Sequence, residues 1–193
     1  MLSLKESLKI LKETNALLEG HFILSSGLHS SAYVQCAQLM SKPDKAHKLC
    51  VSLSEKISKE FNDIDIILSP AMGGILVGYE VGKLLKKESI FCERVNGTFK
   101  LRRDFIIKKN QKVLIVEDVI TTGKSSLECS KLVHDSKGLI IGYACLIDRS
   151  DKKNLLNKKI ISQVELSIPT YKSENLPKEL LKIKAIKPGS RNL

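Results

Sequence analysis

Glu117 and Asp118 stand side by side after the apolar run Val113-Leu-Ile-Val116, and Val119-Ile-Thr-Thr-Gly-Lys-Ser125 follows them. Adjacent carboxylates can accept hydrogen bonds from vicinal hydroxyls. Thr121, Thr122, Gly123, Lys124 and Ser125 supply hydroxyls and backbone N–H groups where a strand gives way to a helix, a place at which the helix dipole favours phosphate. Two carboxylates repel a bare phosphate, so the pattern suits a ligand that also carries vicinal hydroxyls and a Mg²⁺ ion. Gly123-Lys124-Ser125 resembles the end of a nucleotide-binding P-loop. That pattern needs a glycine five positions before Gly123, where this chain has Asp118, and the P-loop reading fails.

Three other segments carry candidate groups. Glu93-Arg-Val-Asn-Gly-Thr-Phe-Lys-Leu-Arg-Arg-Asp104 places Arg94, Lys100, Arg102 and Arg103 around Asn96-Gly97, a strong two-residue hairpin signal whose plain reading is a solvated hairpin. Pro70-Ala-Met-Gly-Gly-Ile75 holds Gly73 and Gly74, which could simply start a helix. Ile147-Asp-Arg149 puts a cation at a strand end, or an ordinary surface ion pair. His21 and His29 read as solvated or structurally hydrogen-bonded rather than catalytic. No Ser/His/Asp or Cys/His arrangement surrounds the acidic pair.

These groups need a scaffold. Ser3 and Glu6 form a capping box before an amphipathic helix in which Leu4, Leu8 and Leu11 share a face. A Ser/Gly-rich segment spans His21–Cys36. A helix starts near Pro43 and runs through Ala46, Leu49, Cys50, Leu53 and Ile57. Ile64–Ser69 is a strand, Pro70–Gly74 a turn, and the next helix carries Leu76, Tyr79, Val81 and Leu84 among its apolar positions. Ser89–Val95, Lys112–Glu117 and Leu139–Ile147 are further strands, with a helix over about Lys124–His134. The continuous apolar run at Val113–Val116 implies a strand covered on both faces. Repeated strand–turn–helix units predict an α/β fold with a mainly parallel sheet flanked by helices, and such sheets bind ligands at the carboxyl ends of their strands.

The 193 residues read as one domain, with no repeat or linker; 42% are hydrophobic and 27% charged, ordinary for a globular protein. No apolar run spans a bilayer, and charges interrupt the first nineteen residues, so neither a membrane segment nor a signal peptide is expected and the protein is expected in the cytosol. The five cysteines show no CxxC pair and no zinc spacing, which fits a reducing compartment. Of the net charge of +11, +6 falls in residues 151–193, where ten Lys/Arg stand against four Asp/Glu. Only one aromatic residue, Tyr171, stands among those lysines, where a single-strand binder would want several, so a solvated basic face is expected and no nucleic-acid partner.

The segment from Val113 to Ser126 resembles the phosphoribosyl diphosphate motif of the type I phosphoribosyltransferases. In that family the two acids contact the ribose hydroxyls, and Thr121 to Ser125 hold the 5′-phosphate. Gly20-His-Phe-Ile-Leu-Ser-Ser-Gly-Leu-His-Ser31 with Tyr33 is similar to the N-terminal hood of the orotate phosphoribosyltransferases. Pro70–Ile75 resembles their pyrophosphate loop, with a cis peptide near Ala71-Met72, and Ile147-Asp-Arg149 matches the strand end whose arginine binds the orotate carboxylate. With the tail Lys187-Pro-Gly-Ser-Arg191, the resemblance covers nearly the whole chain.

The resemblance implies one phosphoribosyltransferase domain over residues 1–193, with residues 1–40 contributing a helix and the hood. Orotate and phosphoribosyl diphosphate would be the substrates, and Mg²⁺ would be held mainly through the diphosphate and water. The protein would be a homodimer whose mobile loop, bearing Arg94, Lys100, Arg102 and Arg103, reaches the neighbouring subunit's site. It assigns catalysis to Asp118, Lys100, Arg102 and Arg103. Substrate binding falls to Glu117, Asp118, Val119, Ile120, Thr121, Thr122, Gly123, Lys124, Ser125, Arg94, Gly73, Gly74 and Arg149. Many relatives have lysine in place of Ser25 and of Gly73, so other cations must neutralise the diphosphate here. A purine phosphoribosyltransferase, or a regulatory binding protein of the same fold, are the competing readings.

Overall fold

In a computed structural model, which describes residues 1–24, 26–150 and 156–188, the capping box opens helix α1 (Leu4–Glu13): the Ser3 hydroxyl accepts from the Glu6 N–H, and Glu6 returns to the Ser3 N–H. The buried face of α1 is Ser7, Ile10 and Leu11, while Leu4 is exposed. Of the Leu4–Leu8–Leu11 stripe, Leu11 is fully buried and Leu8 packs partly against the same core, and beside them the Ser7 hydroxyl accepts a 2.8 Å hydrogen bond from the buried Gln163 amide. Strands β1 (Leu17–Ile23) and β2 (His29–Val34) follow, then the short helix α2 (Cys36–Met40) and α3 (Pro43–Glu60), which starts at its proline as expected. Next come β3 (Ile66–Pro70), α4 (Gly73–Leu85), the hairpin β4 (Glu88–Val95) and β5 (Thr98–Leu101), β6 (Lys112–Ile120), α5 (Lys124–Asp135) and β7 (Leu139–Asp148). The chain closes with β8 (Ile160–Glu165), β9 (Thr170–Tyr171) and α6 (Lys178–Leu181).

The main sheet has the order β5-β4-β3-β6-β7-β8, parallel throughout except for the β4–β5 hairpin. Alternation along β6 explains its unbroken apolar run. Leu114 and Val116 enter a core with α1 to α4, and Val113 and Ile115 enter a second core with α5, so both faces are buried.

Helix α4 turns only part of its apolar set inward. Leu76 and Tyr79 are exposed, and its inner face is Gly74, Val77, Gly78, Val81 and Gly82. The glycines let the helix lie against the sheet so closely that a Cβ at Gly78 would overlap Ser69 Oγ. The larger apolar residues therefore turn outward.

The hood is a second sheet, β1-β2-β9, to which the later chain contributes. Besides β9, Ile186 bridges to Phe22, its carbonyl accepting from Ile23 N–H and its N–H donating to the His21 carbonyl. The Ile183 carbonyl can only accept, so His21 Nδ1, 2.9 Å away, donates to it, and His21 Nε2 shares a hydrogen bond with His29 Nδ1 at 2.6 Å. Both histidines are thus hydrogen-bonded within the hood. Ser25 and residues 189–191 of the similar tail lie outside the described residues. No helix among the described residues is long and apolar enough to cross a membrane.

Candidate active site

Strand β6 runs past the expected end, so Glu117 and Asp118 are strand residues and point to opposite faces. Glu117 faces the start of α5, where it accepts a 3.2 Å hydrogen bond from Ser126 Oγ. Asp118 faces the start of α4: a Cβ at Gly73 would overlap its carboxylate. Its Oδ1 also accepts from the Val119 N–H at 2.9 Å. The acidic pair is thus flanked by two helix N-termini, whose dipoles stabilise negative charge in this space.

Both carboxyls are nevertheless held above their ordinary values. Burial, then the charge of Asp118, pushes Glu117 up to about 8 against the hydrogen bond from Ser126. Burial raises Asp118, opposed by the Val119 N–H. Hydroxyl donors or a cation in the cleft would offset that penalty.

A cleft of about 330 Å³ joins the 70–73 segment to residues 117–126. Gly73 and the whole stretch from Glu117 to Ser125 line it, as does Met72, which the sequence reading had not singled out. Gly123 caps α5 with φ +76°, a left-handed conformation that suits glycine, and Lys124, Ser125 and Ser126 present first-turn N–H groups that no helical carbonyl can take. Thr121 and Thr122 are exposed at the mouth. Ile120 reaches the cleft through its backbone, for its side chain is in the core. Gly74 stands one residue deeper, its Cα facing the Val116 carbonyl. The Ala71–Met72 peptide is cis, as the resemblance implied.

The remaining candidates stand outside the cleft lining. Arg149 begins the segment after β7 and its N–H donates to the Ile120 carbonyl at 2.8 Å, which ties it to the strand bearing the acids. Arg94 pairs with Glu128 of α5 at 2.7 Å, donates to the Gly97 carbonyl and lies over the Phe99 ring. Arg102 and Arg103 both contact Glu93, and Lys100 is exposed on β5. Ser126 and Glu93, partners of the candidate residues, had no local signal beyond lying within the two motifs.

All five cysteines are free and buried, and no group of three or more His, Cys, Asp or Glu among the described residues could hold a metal ion. Among the described residues, the acidic pair alone offers carboxylates in the cleft lining.

The family model for the phosphoribosyl transferase domain matches residues 42–175. The orotate phosphoribosyltransferase of Parvibaculum lavamentivorans is 46% identical over 189 residues, 96% of this chain and 97% of the relative. That of Sphingopyxis alaskensis is 45% identical over 94% of each chain. The crystal structure of orotate phosphoribosyltransferase from Aeropyrum pernix shares the fold, with a TM-score of 0.72 at 24% identity, over 82% of this chain and 92% of that one. Two acids between two helix starts, the glycine-capped loop after them and near-half identity along almost the whole length agree: the chain belongs to the phosphoribosyltransferase family, among its orotate phosphoribosyltransferases.

Proposed function

We propose that the protein transfers the ribose 5-phosphate group of phosphoribosyl diphosphate to orotate, giving orotidine 5′-phosphate and pyrophosphate in pyrimidine synthesis. The observation that carries the reading is the Glu117–Asp118 pair, buried and half-buried respectively between the starts of α4 and α5 and followed by the Thr121–Ser125 turn. The turn receives the 5′-phosphate on backbone N–H groups and hydroxyls, and the two acids accept hydrogen bonds from the ribose hydroxyls.

Departure of pyrophosphate leaves positive charge on the ribose, so the work falls to positioning and electrostatics rather than to a covalent nucleophile. Asp118 favours the growing positive charge, while Lys100, Arg102, Arg103 and Arg94 neutralise the departing anion. Arg149 reads the orotate carboxylate from the end of β7. The raised carboxyls at Glu117 and Asp118 fit a nearby Mg²⁺ held mainly by diphosphate oxygens and water. Such an ion supplies charge neutralisation of the diphosphate.

The reading extends to a cytosolic homodimer with shared sites. Met72, Leu76 and Tyr79 lie along the start of α4 with exposures of 83%, 56% and 65%, an apolar stripe beside the cleft that a second copy would cover. Purified protein with Mg²⁺ and phosphoribosyl diphosphate tests the assignment when offered orotate, uracil, adenine and hypoxanthine separately. Pyrophosphate release with orotate alone is expected. Equal or faster release with a purine would overturn the orotate assignment and leave the family intact.

A further inference from the structure

Glu93 stands among the basic residues of the hairpin. In the β4–β5 pairing it lies opposite Lys100, and its Oε1 is 3.2 Å from Arg102 Nη1 and accepts a hydrogen bond from Arg103 Nη1. Alternation along β4 sends Glu93 and Phe91 to the face opposite Cys92 and Arg94. Arg103 also lies over the Phe91 ring, 5.1 Å from its centroid. The hydrogen bond from Arg103 holds the Glu93 carboxyl below its ordinary range, so it is ionised at neutral pH. Each guanidinium carries five N–H donors, of which Glu93 occupies only part.

The cluster is anchored beside the cleft. Cys92, the residue before Glu93, is in parallel register with Pro70, and its carbonyl accepts the Ala71 N–H at 2.7 Å. Pro70 and Ala71 line the cleft.

Like charges on neighbouring positions repel, and long side chains resist being immobilised when an anion binds. A carboxylate at their centre relieves both costs. We propose that Glu93 is the positioning residue of the loop, holding Arg102 and Arg103 together as one preformed site for the diphosphate of phosphoribosyl diphosphate without touching substrate itself. This rests on the reading of Arg102 and Arg103 as diphosphate-binding groups. Glu93 acts through them, and any loss from its removal therefore requires both to be present.

The test is a double-mutant cycle read in Michaelis constants on the full chain with Mg²⁺. Glu93→Gln is expected to raise KM for phosphoribosyl diphosphate about tenfold, with KM for orotate little changed. Added to an Arg102→Ala/Arg103→Ala variant, the same substitution is expected to change nothing further. A purely structural role would produce the same loss in both backgrounds, and that result overturns the proposal. So does a KM for phosphoribosyl diphosphate that stays level or falls in Glu93→Gln while Arg102→Ala/Arg103→Ala is impaired. If Arg102→Ala/Arg103→Ala keeps the parent's constants, the loop reading itself has failed, and the proposal falls with it.

Discussion

Gly73 and Asp118 share one space: a Cβ on the glycine would sit within the aspartate's carboxylate. A side chain at position 73 therefore requires Asp118 to take another rotamer or the start of α4 to withdraw. Gly73→Ala is expected to lower kcat/KM by about one to two decades, the scale of a misdirected charged hydrogen bond, while circular dichroism stays that of the parent. Parent-like turnover would show that Asp118 does not need this orientation.

Loss of the acids themselves should cost more. A Glu117→Gln/Asp118→Asn protein, folded as judged by circular dichroism, is expected to lose about one to two decades of activity for each hydrogen bond to a ribose hydroxyl. Full activity would refute their placement on the sugar.

Glu117 also makes a prediction about stability. Its carboxyl moves from 4.5 to about 8 on folding, so between those values the unfolded chain is ionised while the folded carboxyl keeps its proton. The unfolded state then binds fewer protons, and the contribution to stability, full below about pH 4.5, is lost as pH rises to about 8. Glu117→Gln is neutral at every pH. Ligand-free in chelator, it should show a higher Tm than the parent at pH 8 and a much smaller gain near pH 5; equal Tm differences at both would exclude a raised carboxyl.

A shared site has a direct signature. Mix a strongly impaired Arg102→Ala/Arg103→Ala protein with a strongly impaired Asp118→Asn protein under conditions of subunit exchange. Hybrid dimers should regain one working site, about a quarter of parental activity if exchange is random and each site combines one subunit's acids with the other's loop. No recovery after exchange demonstrated by mass spectrometry would mean that each subunit works with its own loop.

Orotate differs from uracil by one carboxylate, and a planar guanidinium offers it two parallel hydrogen bonds that an ammonium cannot copy. Arg149→Ala is expected to raise KM for orotate about tenfold to a hundredfold with little change for phosphoribosyl diphosphate, and Arg149→Lys to recover only part of this. Normal orotate binding by Arg149→Ala would assign the carboxylate to another cation.

The parts of the fold legible in the sequence were those written locally. The Ser3–Glu6 box, the Asn96-Gly97 hairpin and the apolar run of β6 each contain their own cause within a few residues. Where the reading went astray, a distant partner decided. Periodicity marked Leu76 and Tyr79 as apolar without showing that Gly74, Gly78 and Gly82 form the closer-packing face of α4. The role of β9 was invisible, because two residues hold no pattern and their pairing with β2 crosses most of the chain. In the site, Glu117, Asp118 and the turn after them were plain from spacing. The contacts of Glu93 with Arg102 and Arg103 were not, since they depend on the path of the chain beyond β5.

The hood draws on strands from both early and late chain, and this orders events during synthesis. Residues 170–186 leave the ribosome long after β2, roughly seven to thirty seconds later at about 5–20 residues per second. Through that interval β6 and the acidic pair can already be folding while the β1–β2 hairpin lacks β9 and Ile186. The nascent chain can therefore form the strand and turn that line the cleft before its hood sheet is complete. A ribosome stalled in this window would present β6 and the turn after it beside a hood sheet still lacking its third strand.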